Sequence, residues 1–178
     1  MRARILEADG LYLSNIEFGD LENIKKWRNE QMSILRQWKP LTDRNQEKYW
    51  DIIANSNDSV LFSIIDENDR FVGYCGLTNI DYISSRGELS FLLDTDLECD
   101  NTVHDKTLLA VLKMLSQYGF GQLNLNKIYT ETYVYRESHI KTLESFGLKR
   151  DGILRKHVFK NGEYHDSVMH SMLRSEYL

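Results

Sequence analysis

The pattern of hydrophobic and polar positions predicts that the chain opens with a β–α unit. Residues 11–18 alternate between apolar and polar side chains, which is typical of a half-buried strand. In the segment that follows, Leu21, Ile24 and Trp27 recur at helical spacing. Asp20 stands just before this periodic run, so we expect it to cap the first helix.

A second helix is predicted after Pro40, the only proline of the chain. Thr42, or the aspartate that follows it, provides a suitable N-terminal cap. Tyr49, Ile52 and Ile53 recur on one face of this helix. We therefore expect that face to pack against the rest of the protein.

The middle of the chain predicts an antiparallel meander. Three β-rich runs, at 60–66, 71–81 and 86–94, are separated by short polar turns. Near the C-terminus, Asn161 and Gly162 stand between two alternating runs. This dipeptide readily adopts the positive φ angles of a tight turn, so it predicts a β-hairpin.

Length and charge narrow the class of protein. At 178 residues the chain has the size of one α/β domain, and we treat residues 1–178 as a single domain. A net charge of −5 without a long Lys/Arg run argues against a nucleic-acid partner.

No apolar run approaches the roughly 18 residues of a transmembrane helix, and the N-terminus lacks the apolar core of a signal peptide. We therefore expect a cytoplasmic protein with no membrane partner. Cys75 and Cys99 are too few and too far apart to form a zinc or redox motif, so we interpret both as reduced, inert thiols.

The order of elements in residues 107–173 resembles the C-terminal half of the GCN5-related N-acetyltransferase (GNAT) family. The helix TLLAVLKMLSQYGF is followed by LNKIYTETYV, which resembles a strand of that family, and by IKTLESFGL, which resembles its short helix ending in glycine. A hairpin completes the resemblance. It implies an α/β (α+β) fold, with a central, mostly antiparallel mixed sheet of about seven strands flanked by about four helices.

The resemblance also implies an activity. Members of this family transfer an acetyl group from acetyl-CoA to a primary amine. The segment WRNE at 27–30 resembles relatives that act on amino-sugar nucleotides, ribosomal-protein N-termini and spermidine. It implies that Trp27 and Asn29 line the acceptor pocket and favours an amino-sugar nucleotide, with a protein N-terminus or a polyamine as alternatives. Equally, Trp27 could pack its helix onto the sheet while Arg28 and Asn29 are solvated.

Glu88 is the candidate catalytic base. It stands where ribosomal-protein and sugar-nucleotide relatives carry a glutamate, and a carboxylate on that strand could accept the proton of the acceptor ammonium. Alternatively, it pairs with an arginine near the sheet. The residues that follow, Phe91, Leu92 and Leu93, would present backbone groups to the pantetheine arm of acetyl-CoA.

The family's glycine-rich pyrophosphate loop is absent. The expected Arg or Gln falls on Val103, the glycine on Lys106 and the small residue on Leu108. Thr102 and Asp105 instead have the spacing of a capping box, which would occupy helix amides that otherwise bind phosphate. Five acidic residues also crowd this turn: Asp94, Asp96, Glu98, Asp100 and Asp105.

A remodelled phosphate site would use other residues near this turn. His104, Asp105 and Lys106 occupy the loop position, and Arg136 replaces the family's asparagine. Lys106 and Arg136 could clamp the phosphates. His139 would flank the same cleft as His104 if the two strand-to-helix turns meet, although a surface histidine is the alternative at each position.

One further family expectation bears on the chemistry. Leu143 replaces the tyrosine that protonates the departing thiolate in many members. This loss is tolerable, because a thiol with a pKa near ~8.5 leaves readily as a thiolate at neutral pH.

The alternating acids at 94–100 could suggest a calcium loop, but Cys99 replaces its glycine and Asp105 its final glutamate. We therefore expect a solvated loop and no metal site.

Three functions remain open at this point. The first is acetyl transfer to a small-molecule amine, and the second is a non-catalytic binding or regulatory protein that has lost acetyl-CoA. The third is a transferase with another donor. An open gap beside the strand that starts at Glu88 would favour a transferase, whereas a closed one would favour the second. The Tyr- and Trp-rich N-terminal helices are compatible with a homodimer.

Overall fold

The computed structural model describes residues 2–177 and is built around one eight-stranded sheet with strand order β1-β2-β3-β4-β5-β6-β8-β7. The strand bounds are β1 Leu6–Ala8, β2 Leu11–Asn15, β3 Val60–Ile65, β4 Phe71–Asp81, β5 Arg86–Leu93, β6 Lys127–Tyr133, β7 Lys149–Lys160 and β8 Glu163–Leu173.

Five α-helices connect or flank these strands: α1 Asp20–Glu30, α2 Asp43–Asn55, α3 Thr95–Glu98, α4 Asn101–Ser116 and α5 Glu137–Phe146. A π-helical segment, Gln117–Gln122, extends α4, and a short 3₁₀ helix follows β8 at Arg174–Glu176. No helix within residues 2–177 is both long and apolar enough to cross a membrane.

The sheet is antiparallel except where β5 and β6 meet, and those two strands run parallel. The predicted mostly antiparallel mixed sheet is therefore confirmed. So is the terminal hairpin, where Asn161 and Gly162 have φ angles of 53° and 88° between β7 and β8.

Both faces of the sheet are covered. One core lies under α4, where Leu108, Leu112 and Met114 are buried against sheet residues that include Leu77 and Ile128. The second core joins α1 to the opposite face through residues that include Ile24, Trp27, Tyr74 and Leu92. The two helical layers hold β5 and β6 between them, where the candidate site lies.

The structure agrees with the expected count of about seven strands and about four helices, with one more of each within residues 2–177. It adds β1, three residues long, and α3, four residues long. Both are too short to produce a visible hydrophobic period.

The predicted burial of one α2 face is only partly right, because Tyr49 and Ile53 are partly buried whereas Ile52 is exposed.

The caps of the first two helices differ from each other. Thr42 caps α2 as predicted, and it forms a reciprocal capping box with Asn45. Asp20 does not cap α1: Gly19 occupies the cap position without a side-chain hydrogen bond. The Asp20 carboxylate turns back to the N–H of Glu17 and to Arg2, so its role is tertiary.

Candidate active site

A cleft opens between β5 and β6. The two strands pair over Arg86–Glu88 and Lys127–Tyr129, and the ladder ends there although β5 continues to Leu93 and β6 to Tyr133. The space between them measures about 140 Å³. Beyond the last pair, the strand edges that face the cleft have backbone groups available to a ligand. This is the open gap expected of a transferase.

The cleft has one apolar wall and one polar wall. Side chains alternate along β5, so Phe91 faces α4 and α5, whereas Glu88 faces the loop at 31–42. The apolar wall comes from α4 and α5 and includes Leu108, Leu112 and Leu143. The polar wall contains Arg36, Glu88, Ser90, Thr130 and Glu131.

Glu88 is held firmly within this polar wall. The residue is 4% exposed. Asn79 Nδ2 donates to its Oε2 at 2.6 Å, and the Arg36 guanidinium pairs with its Oε1. The arginine pairing considered as an alternative is therefore present. Arg36, however, comes from a loop and its side chain is 61% exposed, so the pair lies at the entrance of the cleft rather than in the core.

Glu131 is a second carboxylate in the same wall, and sequence reasoning missed it. Its side chain is 10% exposed, and its Oε2 lies 3.8 Å from the Arg36 guanidinium. Its buried Oε1 has no hydrogen-bond partner within residues 2–177, the nearest basic atom being His157 Nε2 at 3.7 Å. Two carboxyl groups thus share one arginine, and one oxygen remains unsatisfied.

The protonation state of the Arg36 side chain depends on both Glu88 and Glu131. Burial alone would lower the pKa of the Arg36 guanidinium, but Glu88 and Glu131 raise it above its usual range. The arginine therefore stays fully protonated, and the polar wall keeps an excess of acidic groups over basic ones.

The WRNE segment shapes the loop that carries Arg36. Trp27 is buried against Phe71 and lies outside the cleft wall, in the packing role considered as its alternative. Asn29 accepts the N–H of Leu41 at 2.7 Å and donates to its carbonyl oxygen at 3.0 Å. Asn29 also accepts a hydrogen bond from Gln37 at 3.0 Å. Neither Trp27 nor Asn29 lines the cleft directly.

The three residues expected to present backbone groups to the pantetheine arm lie in different surroundings. Phe91 lines the cleft, whereas the Leu92 side chain packs beneath α1 in the second core. The Leu93 carbonyl already accepts a hydrogen bond from Gln31 at 2.8 Å. The free part of the β5 edge therefore lies before Leu93.

The start of α4 is capped, but not by the predicted residues. Asp100 accepts the N–H groups of Thr102 and Val103 at 3.0 and 3.2 Å. The predicted Thr102–Asp105 box is absent, because Asp100 rather than Thr102 is the N-cap of α4, and Asp105 lies 2.9 Å from His104 Nδ1. The amides that would hold an anion are satisfied by the chain's own carboxylate.

His104 and His139 meet beside this capped helix. Their rings are buried, and His139 Nδ1 lies 3.3 Å from His104 Nε2. The expectation that the two strand-to-helix turns meet is confirmed, and the alternative of two surface histidines is wrong. Burial lowers the pKa of His139 well below its usual value, with further lowering from Arg136 and His104.

The other residues considered for the donor site differ in whether they form ion pairs. Arg136 forms a salt bridge with Glu98 at 2.6 Å, and both are largely buried. Lys106 is exposed and makes no ion pair within the described part of the chain. Leu143 is a core residue. From Arg2 to Tyr177, no group of three or more His, Cys, Asp or Glu residues is arranged to hold a metal ion.

These features agree with comparisons to known proteins. Residues 13–169 match the family model described as an acetyltransferase (GNAT) domain. The chain therefore belongs to the GNAT acetyltransferase family, and it is an acetyltransferase. It is 31% identical to the uncharacterized N-acetyltransferase p20 of Bacillus licheniformis, over 97% of both chains.

Two further similarities involve a named acceptor. The chain is 25% identical to the spermidine N(1)-acetyltransferase of Vibrio cholerae, with 94% of this chain and 95% of that protein covered. The crystal structure of the Vibrio cholerae spermidine N-acetyltransferase in complex with CoA and spermine superposes with a TM-score of 0.79 at 25% identity. That superposition covers 94% of this chain and 98% of the other.

Acetyl-CoA, the donor expected from the sequence, is the donor used by the family to which this chain belongs. The preference for an amino-sugar nucleotide gains no support, because both of these matches are to the spermidine acetyltransferase of Vibrio cholerae. The sequence reasoning missed Asn79 and Glu131 as site residues, and it did not identify Arg36 as the arginine that pairs with Glu88. Of these, only Glu131 carried a usable signal, since it is a charged residue within a strand beside buried positions.

Proposed function

We propose that this acetyltransferase acetylates a small, multiply charged primary amine of the polyamine class, with Glu88 as the catalytic base. The observation that carries the proposal is the pair of carboxyl groups, Glu88 and Glu131, on the two strands that border the cleft. A buried carboxylate oxygen without a partner is costly, so its presence favours a cationic ligand.

Arg36 would then act as an internal stand-in for the acceptor. Its guanidinium contacts both Glu88 and Glu131, as two ammonium groups of a polyamine could do. Because Arg36 lies on a loop and is mostly exposed, it can swing away without disturbing the core. A diphosphate acceptor would instead need free basic side chains, and Arg36, the arginine in this wall, is engaged with the two acids.

Glu88 has the surroundings of a proton acceptor. Asn79 orients its carboxylate, and displacement of Arg36 would free Oε1 to take the ammonium proton. The neutral amine could then attack the thioester carbonyl from the polar side of the cleft, and coenzyme A would leave as a thiolate when the C–S bond breaks. Bound acetyl-CoA supplies the activated acetyl group as a thioester, and the unpaired β5 edge near Phe91 is where we expect its pantetheine arm to bind.

An acceptor screen tests this proposal. Purified protein and acetyl-CoA should acetylate spermidine or another polyamine, but not an amino-sugar nucleotide or a ribosomal-protein N-terminal peptide. Preference for either of the last two would overturn the polyamine assignment. Acetylation of none of these amines at saturating acetyl-CoA would favour a different acceptor class.

Glu131→Gln should change acceptor selectivity rather than the chemical step. The neutral side chain loses its attraction for a second ammonium, and we expect KM for spermidine to rise about tenfold with kcat little changed. A short monoamine should be affected less than twofold. Steady-state kinetics with both amines would measure this split. Glu67→Gln, which neutralises an exposed acid in the β3–β4 turn, is the matched control.

A further inference from the structure

A second group of side chains lies beside the cleft, between the start of α4 and the start of α5. Arg136, His104 and His139 line a pocket of about 200 Å³ there, together with Glu98. Arg136 and His139 also line the β5–β6 cleft, so the pocket adjoins the cleft. We call Arg136, His104 and His139 the basic cradle.

Glu98 occupies this cradle from α3. Its Oε1 lies 2.6 Å from an Arg136 guanidinium nitrogen, and its Oε2 lies 3.7 Å from His104 Nε2. The Glu98 and Arg136 side chains are only 16% and 17% exposed, so the pair is largely shielded from water. A carboxylate held in this way presents two oxygens to basic groups, much as a phosphate would.

The backbone at the start of α4 is not an alternative anion site. Asp100 satisfies the first free amides, and no glycine stands in this turn to let the backbone approach a ligand. Side chains can contact an anion without such close backbone approach. The cradle therefore explains how the chain could dispense with glycines at this position.

We infer that the basic cradle binds the diphosphate of the acetyl-CoA donor, and that Glu98 is an internal anion that the diphosphate displaces. This inference rests on the proposed function only in taking acetyl-CoA as the donor. His139 supports it, because its buried ring lines this pocket and its Nδ1 lies 3.3 Å from His104 Nε2, which places two imidazoles beside Arg136. The segment that must move is short, since α3 has four residues.

Calorimetric titration with coenzyme A tests the inference without relying on activity. Glu98→Gln removes the competing charge and should tighten coenzyme A binding about tenfold, because a charge-assisted contact no longer has to be broken. Arg136→Gln should weaken binding at least about tenfold. Pantetheine, which lacks the diphosphate, should bind all three proteins with the same affinity within about twofold.

Glu137→Gln is the matched control. Glu137 lines the same pocket at the start of α5 but makes no ion pair with Arg136 within the described chain. Its neutralisation changes the local charge equally and should alter coenzyme A affinity less than about threefold. Equal tightening by Glu98→Gln and Glu137→Gln would overturn the displacement model in favour of general electrostatics.

Two further results would argue against binding of the diphosphate by the cradle. Unchanged coenzyme A affinity in Glu98→Gln, or unchanged affinity in Arg136→Gln, would overturn the cradle. Thermal melting of each variant identifies any that fail to fold, and Arg136→Lys then replaces Arg136→Gln, with weaker binding again expected. Polyamine acetylation by the unaltered protein is measured separately. The proposal of a polyamine acceptor can therefore be overturned while the inference about the cradle holds, and the reverse is equally possible.

Discussion

Replacing Glu88 with glutamine is expected to lower kcat for amine acetylation by about 10²–10⁴-fold, the range typical of losing a general base. The amide keeps the shape of the side chain and can still contact Arg36 and Asn79, but it cannot accept the ammonium proton. Affinity for acetyl-CoA should stay within about twofold, since Glu88 lies on the side of β5 opposite Phe91, near which the pantetheine arm is expected to bind. Steady-state kinetics and calorimetry would measure the two quantities.

Two comparisons distinguish a catalytic role of Glu88 from a purely structural one. The limb of the pH–rate profile that reports the base should disappear in Glu88→Gln, whereas a merely structural role would leave the profile unchanged in shape. Glu131→Gln serves as the control in the same wall and should keep its kcat. Full kcat in Glu88→Gln would show that Glu88 serves only to hold Arg36.

Replacing Asp20 with alanine is expected to destabilise the fold by about 3–5 kcal/mol, as for breaking a buried ion pair by removing one partner. Asp20 is buried and accepts hydrogen bonds from both terminal nitrogens of Arg2, from the N–H of Glu17 at 2.9 Å and from Ser63 at 2.7 Å. These contacts join α1 to β3 and to the N-terminal segment. Alanine would leave the donors of Arg2, Glu17 and the buried Ser63 without this partner.

Urea denaturation followed by circular dichroism measures this loss. Asp43→Ala is the control, because Asp43 also lies in the first turn of a helix but its side chain is 86% exposed and pairs with Lys25. Exposed pairs contribute about 0.2–1 kcal/mol. Equal effects of the two substitutions would mean that Asp20 contributes only as a helix-terminal charge.

Asp20 should also contribute to the loss of folding stability at low pH. Burial alone would raise the pKa of the Asp20 carboxyl, but its hydrogen bonds with Arg2, Glu17 and Ser63 lower it below the usual 3.8. A carboxyl whose pKa is lower in the folded state stabilises the protein above about pH 4, and this contribution is lost as the pH falls through the folded pKa. Urea unfolding at pH 6 and pH 3 should therefore show a smaller loss in Asp20→Ala than in the unaltered protein. An identical pH dependence in both proteins would contradict this role.

Local signals in the sequence predicted much of the secondary structure. The alternation in β3 to β5 and the Asn161–Gly162 turn were sufficient for the meander and the final hairpin, because neighbouring residues set both features. The strand β1 and the helix α3 were missed. Elements of three and four residues depend on the surrounding structure rather than on a periodic pattern of their own.

Charge patterns were less reliable guides because polar side chains have several possible partners. Asp20 and Asp105 both had the spacing of helix caps, yet Asp20 binds Arg2 and Asp105 binds His104. A carboxylate near a helix terminus satisfies whichever donor the fold brings closest. Only the positions of distant segments decide which donor that is.

The sequence by itself determined the order of the elements, the family resemblance and the placement of Glu88 on a strand bordering the cleft. These depend on side-chain periodicity and on residues close together in the chain. The tertiary structure alone decided that Arg36 and Glu131 meet Glu88, and that Glu98 meets Arg136. The physical reason is that the parallel contact of β5 and β6 joins segments separated by α3 and α4, and no local pattern of residues encodes which side chains then share a space.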